Sequence, residues 1–187
     1  MDTLLSVCVG IGLSAACGFR VFLPLLGLGL AARGGYLDIS PTFAWVAGDA
    51  ALVALAVATV LEIGAYYVPW LDHLLDAAAS PMAVAAGVIA SASVLTDVDP
   101  WLRWTLAAIA GGGTAGAVQA LTVGTRKLSL FTTAGIANPL VSTLELGGSL
   151  LMTLLAIVVP LLALFVVGTF AGGAFLVLRA VRARRRT

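Results

Sequence analysis

Long apolar stretches alternate along this chain with short clusters of polar and turn-forming residues, and their lengths set the elements to expect. The first stretch, residues 3–32, is interrupted only by Gly18, Arg20 and Pro24 before Arg33-Gly34-Gly35-Tyr36-Leu37-Asp38 closes it. It is long enough to cross a bilayer, with a kink expected near Pro24. Further spans are predicted over 43–67, 81–96, 102–123, 139–159 and 161–181, with a basic tail at 182–187. The last two divide the apolar run Leu140 to Val181, which as one helix would be about 60 Å long, twice a hydrocarbon core. A tight turn near Pro160 is the expected division, with one long kinked helix as the alternative.

The resulting fold class is all-α, a polytopic transmembrane helix bundle of about six spans forming a single domain over residues 1–187. Composition agrees. With 61% hydrophobic and only 10% charged residues and a mean hydropathy of +1.10, the chain cannot bury its apolar surface in a soluble core. Half of its ten basic residues are Arg179, Arg182, Arg184, Arg185 and Arg186, and Lys and Arg near span ends favour the cytoplasmic side. Six spans then place both termini in the cytoplasm of a bacterial plasma (inner) membrane. Arg126 and Lys127, expected in the connection after the fourth span, are further cytoplasmic anchors. Arg33 and Arg103 fall outside beside Asp38, Asp97 and Asp99. Membrane lipid is the expected partner and nucleic acid is not, while Gly- and Ala-rich faces suit a homodimer.

Nothing in the motifs calls for an enzyme or a cofactor: there is no HExxH, no CxxC and no Ser/His/Asp order. Cys8 and Cys17 are expected as buried small hydrophobes and His73 as a solvated loop residue. The Asp97-Val98-Asp99 run is expected to be a turn and helix cap, and metal binding stays undetermined.

The chemistry concentrates where polar groups sit at bilayer depth, which is expensive enough to be kept for a task. The stretch Thr125 to Gly148 holds a cationic pair, hydroxyls, an amide, a carboxylate and the helix breakers Gly135 and Pro139. Glu145 here and Glu62 in the second span share the run Leu-Glu-[Ile/Leu]-Gly. On six spans both lie about 9 Å in from the cytoplasmic ends at helical rise. A 3+3 inverted repeat is therefore worth testing. Glu62 and Glu145, with Thr132, Thr133 and Asn138, are the ion- or proton-binding candidates, and Arg20 is their counter-charge. This pattern points to a small transporter or channel-like protein for a cation, a proton or a small solute. The alternative is a non-transporting scaffold or a lipid- or partner-binding protein in which each Glu pairs with an Arg to join helices.

Three blocks, Gly12 to Leu26, Leu61 to Asp76 and above all Gly124 to Glu145, resemble the DUF4126 family of bacterial membrane proteins, which has no assigned function. The resemblance covers nearly the whole chain. The family pattern carries an Asp-Lys pair after the first Glu, where this sequence has Tyr66 and Tyr67, so it implies Glu62 and Glu145 as the remaining intramembrane carboxylates. A weaker similarity, to cation exchangers with paired E-x-G-D-[KR] motifs, extends only to Glu62-Ile63-Gly64 and Glu145-Leu146-Gly147.

Overall fold

A computed structural model gives the fold and describes residues 2–65, 69–133 and 136–184. Among these the chain forms eight α-helices and no strand: α1 (Thr3–Phe19), α2 (Phe22–Arg33), α3 (Asp49–Ala65), α4 (Pro69–Val94), α5 (Pro100–Leu106), α6 (Gly113–Thr133), α7 (Asn138–Val158) and α8 (Pro160–Arg184). A 3-10 helical segment, Pro41–Ala47, precedes α3, and a π-helical segment, Ala107–Gly112, joins α5 to α6.

The bundle is organised around α1, which packs on α4, α6, α7 and α8. A helix apolar on every side belongs in the centre, and α1 is buried nearly all round from Cys8 to Gly18. Its small residues set how closely the neighbours approach. A side chain at Gly10 would meet Ser91 on α4, one at Gly12 would meet Ala156 and Ala163, and one at Gly18 would meet Val118 and the Ala115 carbonyl on α6. Ser14 Oγ donates to Gly87 O at 2.8 Å and Ser149 Oγ to Ala16 O at 3.1 Å. These bonds tie α1 to α4 and α7. Both cysteines are buried among these contacts. A Cβ at Gly18 would lie 2.5 Å from Val118 Cβ and 2.6 Å from a backbone oxygen, so Gly18→Leu should cost about 1–3 kcal/mol by overpacking. Its melting temperature in detergent checks this, and an unchanged value would mean that α6 is not packed on α1 here.

The first apolar stretch is not one kinked crossing. The break lies at Arg20, whose backbone is extended (φ −143°, ψ 134°), rather than at Pro24. Pro24 falls in the first turn of α2, where a missing N–H costs nothing. Along α7, Ser142 meets Arg20, Ser149 meets Ala16 and Ala156 meets Gly12, while Thr153 meets Gly27. Thus α7 runs antiparallel to α1 and parallel to α2, and α1 and α2 form a helical hairpin with Arg20 and Val21 at its tip. The chain begins at the same end of the bundle as the Arg33–Asp49 ion pair that links α2 to α3.

Other boundaries also move. Residues 41–47 bend by 59° into α3 instead of continuing it. Pro81 lies inside α4, which begins at Pro69 rather than at Pro81. The helix expected to stop at Val123 runs from Pro100 to Thr133, so Arg126 and Lys127 are helical and not in a connection. Asp99 caps α5, accepting from the Trp101 amide at 2.9 Å, as its turn-and-cap reading requires. Arg103 bonds Ser40 Oγ at 2.9 Å at the same end. Ala156 and Ala163 both meet the Cβ position of Gly12, whereas residues seven apart in a straight helix are separated by about 10 Å. The chain therefore bends sharply at Val159, between α7 and α8.

Among the described residues, two helices, Pro100–Thr133 and α7, are long and apolar enough to cross a membrane, and the bent pair ending in α3 makes three. The segments Thr3–Phe19, Phe22–Arg33, Ala78–Val94 and Pro160–Gly173 are apolar but shorter. The outer surface is apolar: Val53, Val57 and Val60 on α3, Leu144, Leu151 and Leu154 on α7, and Phe165 and Phe170 on α8 are all exposed. The inward faces of α6 and α7 are polar by contrast. Gln119, Thr122, Arg126 and Ser129 are buried on α6, and Ser142, Glu145, Ser149 and Thr153 on α7.

Candidate functional site

The hairpin tip sits against these polar faces. Because α1 ends at Phe19 and α2 begins at Phe22, the first amides of α2 have no partner within their own helix, and Val21 supplies no side-chain cap. Glu62, near the end of α3, fills that place. Its Oε1 accepts from Val21 N at 2.8 Å and its Oε2 from Phe22 N at 3.2 Å. A carboxylate is favoured there by the amides and by the positive end of the helix dipole.

Arg20, just before those amides, is 1% exposed. Its Nη2 donates to Ser142 O at 2.8 Å and Ser142 Oγ at 3.0 Å. The same Ser142 hydroxyl accepts from Arg126 Nη2 at 3.2 Å. Arg126 Nε donates to both carboxylate oxygens of Glu145, at 3.0 and 3.1 Å, and its Nη2 closes an ion pair with Oε2. The charges of Arg20 and Arg126 both act on Glu62. Side chains from the hairpin tip, α3, α6 and α7 thus form one buried network. Its two cations and two anions balance, which is what makes it tolerable away from water.

The candidates from sequence divide accordingly. Glu62, Glu145 and Arg20 come together. Thr132 and Thr133 do not join them: both are exposed at the end of α6 and bond their own helix, at Leu128 O and Ser129 O. Thr133 Oγ1 also accepts from Ala137 N at 3.2 Å. Asn138 is the first residue of α7 and not its cap, which is Ala137, and Pro139 lies in the first turn. Arg126, expected as a cytoplasmic anchor, is 4% exposed, turned inward because Glu145 lies within its reach; Lys127, one residue on, faces out. Arg179 is exposed. Gly135, Tyr66, Tyr67, Arg185 and Arg186 lie outside the described residues, as do the side chains of His73, Arg182 and Arg184.

Sequence reasoning missed Ser142, the hinge of the network, and the amides of Val21 and Phe22. Ser142, Glu145, Ser149 and Thr153 share one helical face, and that polar periodicity in an apolar segment is the signal that could have singled out Ser142. The amides had no such signal, since they are freed only by the break at Arg20.

An all-helical bundle with an apolar exterior and a charge network buried in its interior defines the class as a helical membrane protein. Within it, the chain belongs to the family described as Domain of unknown function (DUF4126), whose model matches residues 7–180. No curated protein and no solved structure matches it.

Proposed function

We propose that this protein is a small membrane carrier or channel-like protein for a proton or small solute, with Glu62 as the exchangeable group and no enzymatic activity of its own. The supporting observation is the seating of the Glu62 carboxylate on the freed amides of a broken helix, beside a buried arginine. Broken helices whose ends meet charged groups deep in a bundle are how transporters build sites in lipid. A hard-cation site is less well supported, because N–H donors already hold the oxygens of both carboxylates. In this reading Arg126 and Glu145 form a fixed pair, and Arg20 sets the local charge.

The protein sits in a bacterial inner membrane in contact with lipid. The end carrying Lys127 faces the cytoplasm. The α1–α2 hairpin then puts Asp2 at the opposite face, in place of the shared cytoplasmic side that six spans would require. The test is proton flux in liposomes containing purified protein under an imposed pH gradient. Glu62→Gln should reduce protein-dependent flux at least about tenfold, the size typical of losing a proton-transfer group, while the protein still inserts. Undiminished flux in that variant would remove this mechanism.

A second reading, a non-transporting scaffold, draws on one specific observation. The network's charges cancel and its carboxylate oxygens are all engaged, as in a purely structural junction between helices.

A further inference from the structure

We propose that the inward face of α6 borders a blind, water-filled lane that opens at the Lys127 end of the bundle and stops at Gln119. The lane gives the proposed carrier its route from one side and rests on that reading for its role.

Gln119, Thr122, Arg126 and Ser129 are spaced so that they share one face of α6, and all are buried. Their burial differs from that of the other interior polar groups. Gln119, Thr122 and Ser129 keep 5, 7 and 8% of their surface exposed, whereas Ser14, Ser142 and Ser149 on α1 and α7 keep none. The decisive group is Gln119. Thr122 Oγ1 donates to its backbone carbonyl at 2.9 Å, but among the described residues its side-chain amide has no hydrogen-bond partner. Such an amide is costly inside a bundle unless something both accepts from its N–H groups and donates to its oxygen. Lipid chains do neither, and a simple ion does only one. Water does both, and the Thr122 oxygen, whose proton is already donated, can accept from it as a second partner.

The two ends of the lane follow from the packing. Ser129 lies beside Thr132 and Thr133, both exposed at the end of α6, and Thr133 Oγ1 donates to its carbonyl at 2.8 Å. Hydroxyl groups thus carry the polar face to the surface. From Ser129 to Gln119 is about 15 Å at helical rise, half of a hydrocarbon core. One turn further in, at Ala115, the space closes. A Cβ at Gly87 on α4 would lie 2.5 Å from Ala115 Cβ, and one at Gly18 on α1 would lie 2.6 Å from the Ala115 carbonyl. Three helices meet there with no room for water. The lane passes the Arg126–Glu145 pair and so brings water to the network that seats Glu62. A proton leaving Glu62 then has an exit on the Lys127 side. Reaching the opposite side requires α1, α4 and α6 to part at Ala115, which is the one-sided access that carriers alternate between.

Gln119 is the only glutamine in the chain, so wild type labelled with nitrogen-15 at the glutamine side chain and placed in lipid nanodiscs reports on it alone. Its amide protons should show NMR cross-peaks to water and none to lipid acyl chains. The length of the lane is read from single cysteines at Ser129, Thr122 and Gln119, with Ala120, on the exposed side of α6, as the lipid-facing control. Peptide mass spectrometry follows their modification by 2-aminoethyl methanethiosulfonate in liposomes. The thiolate is the reactive form and needs water to exist, so the three lane positions should react at least about tenfold faster than Ala120→Cys. Cys8 and Cys17, buried in α1, should stay unmodified. The proposal is overturned if the Gln119 amide contacts acyl chains and not water, if Thr122→Cys and Gln119→Cys react no faster than Ala120→Cys, or if Cys8 and Cys17 react as fast as they do. Should a cysteine variant fail to fold, the wild-type NMR result decides. A dry Gln119 together with Glu62-dependent proton flux would remove the lane and leave the carrier reading. A hydrated Gln119 in a protein without flux would keep the lane and remove the carrier.

Discussion

Glu145→Gln should lower the melting temperature of the detergent-solubilised protein by about 10 °C, from a loss of about 3–5 kcal/mol. Glu145 is 5% exposed and receives bonds from Arg126 at both carboxylate oxygens. The amide keeps the shape but leaves the Arg126 guanidinium uncompensated beside Arg20, which also donates to Ser142. The penalty comes from the stranded charge more than from the lost bonds. Replacing both partners, Arg126→Met with Glu145→Leu, should therefore recover most of the stability, since a buried pair exchanged for apolar groups of similar volume is often neutral. A double variant no more stable than Glu145→Gln would show that this pair is held for its bonds within the network and not merely balanced against burial.

Arg20→Met carries the second large effect. The substitution keeps the length of the side chain and removes both bonds to Ser142, at 2.8 and 3.0 Å, together with a positive charge that acts on Glu62. The Ser142 carbonyl and hydroxyl lose a charged donor, and the tip of the hairpin loses its link to α7. A loss of about 3 kcal/mol is expected, seen again as a fall in melting temperature of about 10 °C. The comparison with Glu62→Gln separates the two functional readings. In a carrier, wild type shows flux that both variants lose, and both also lose stability, since each removes one charge from the balanced network. In a scaffold, both variants lose stability to a similar degree and wild type shows no flux to lose.

The polar residues that matter were visible as anomalies in an apolar chain, but their roles depended on which way each helix face turned. Arg126 and Lys127 are adjacent and look alike as an anchoring pair. A helix carried through to Thr133 turns them to different faces, so one is buried against Glu145 and the other is exposed. Thr132 and Thr133 sit near the same carboxylate in sequence yet end on an exposed helix terminus, bonding their own backbone. Pro24 and Pro81 are strong breakers on paper. One falls in a first turn where its missing donor is harmless, and the other lies within a helix that continues past it.

By itself the sequence determined an all-helical chain with an apolar exterior, because period and composition act locally: each run of this hydrophobicity must be helical to satisfy its own backbone in lipid. It also determined that Glu62, Glu145 and Arg20 would have to be accommodated in the interior, because exposing them to lipid is too costly. Only the tertiary structure decided that α1 is the central helix, that the chain turns back at Arg20, and that the amides freed there are met by Glu62. Those are contacts between residues far apart in the chain, set by how closely the glycines of α1 let four neighbouring helices approach, and no local pattern contains that distance.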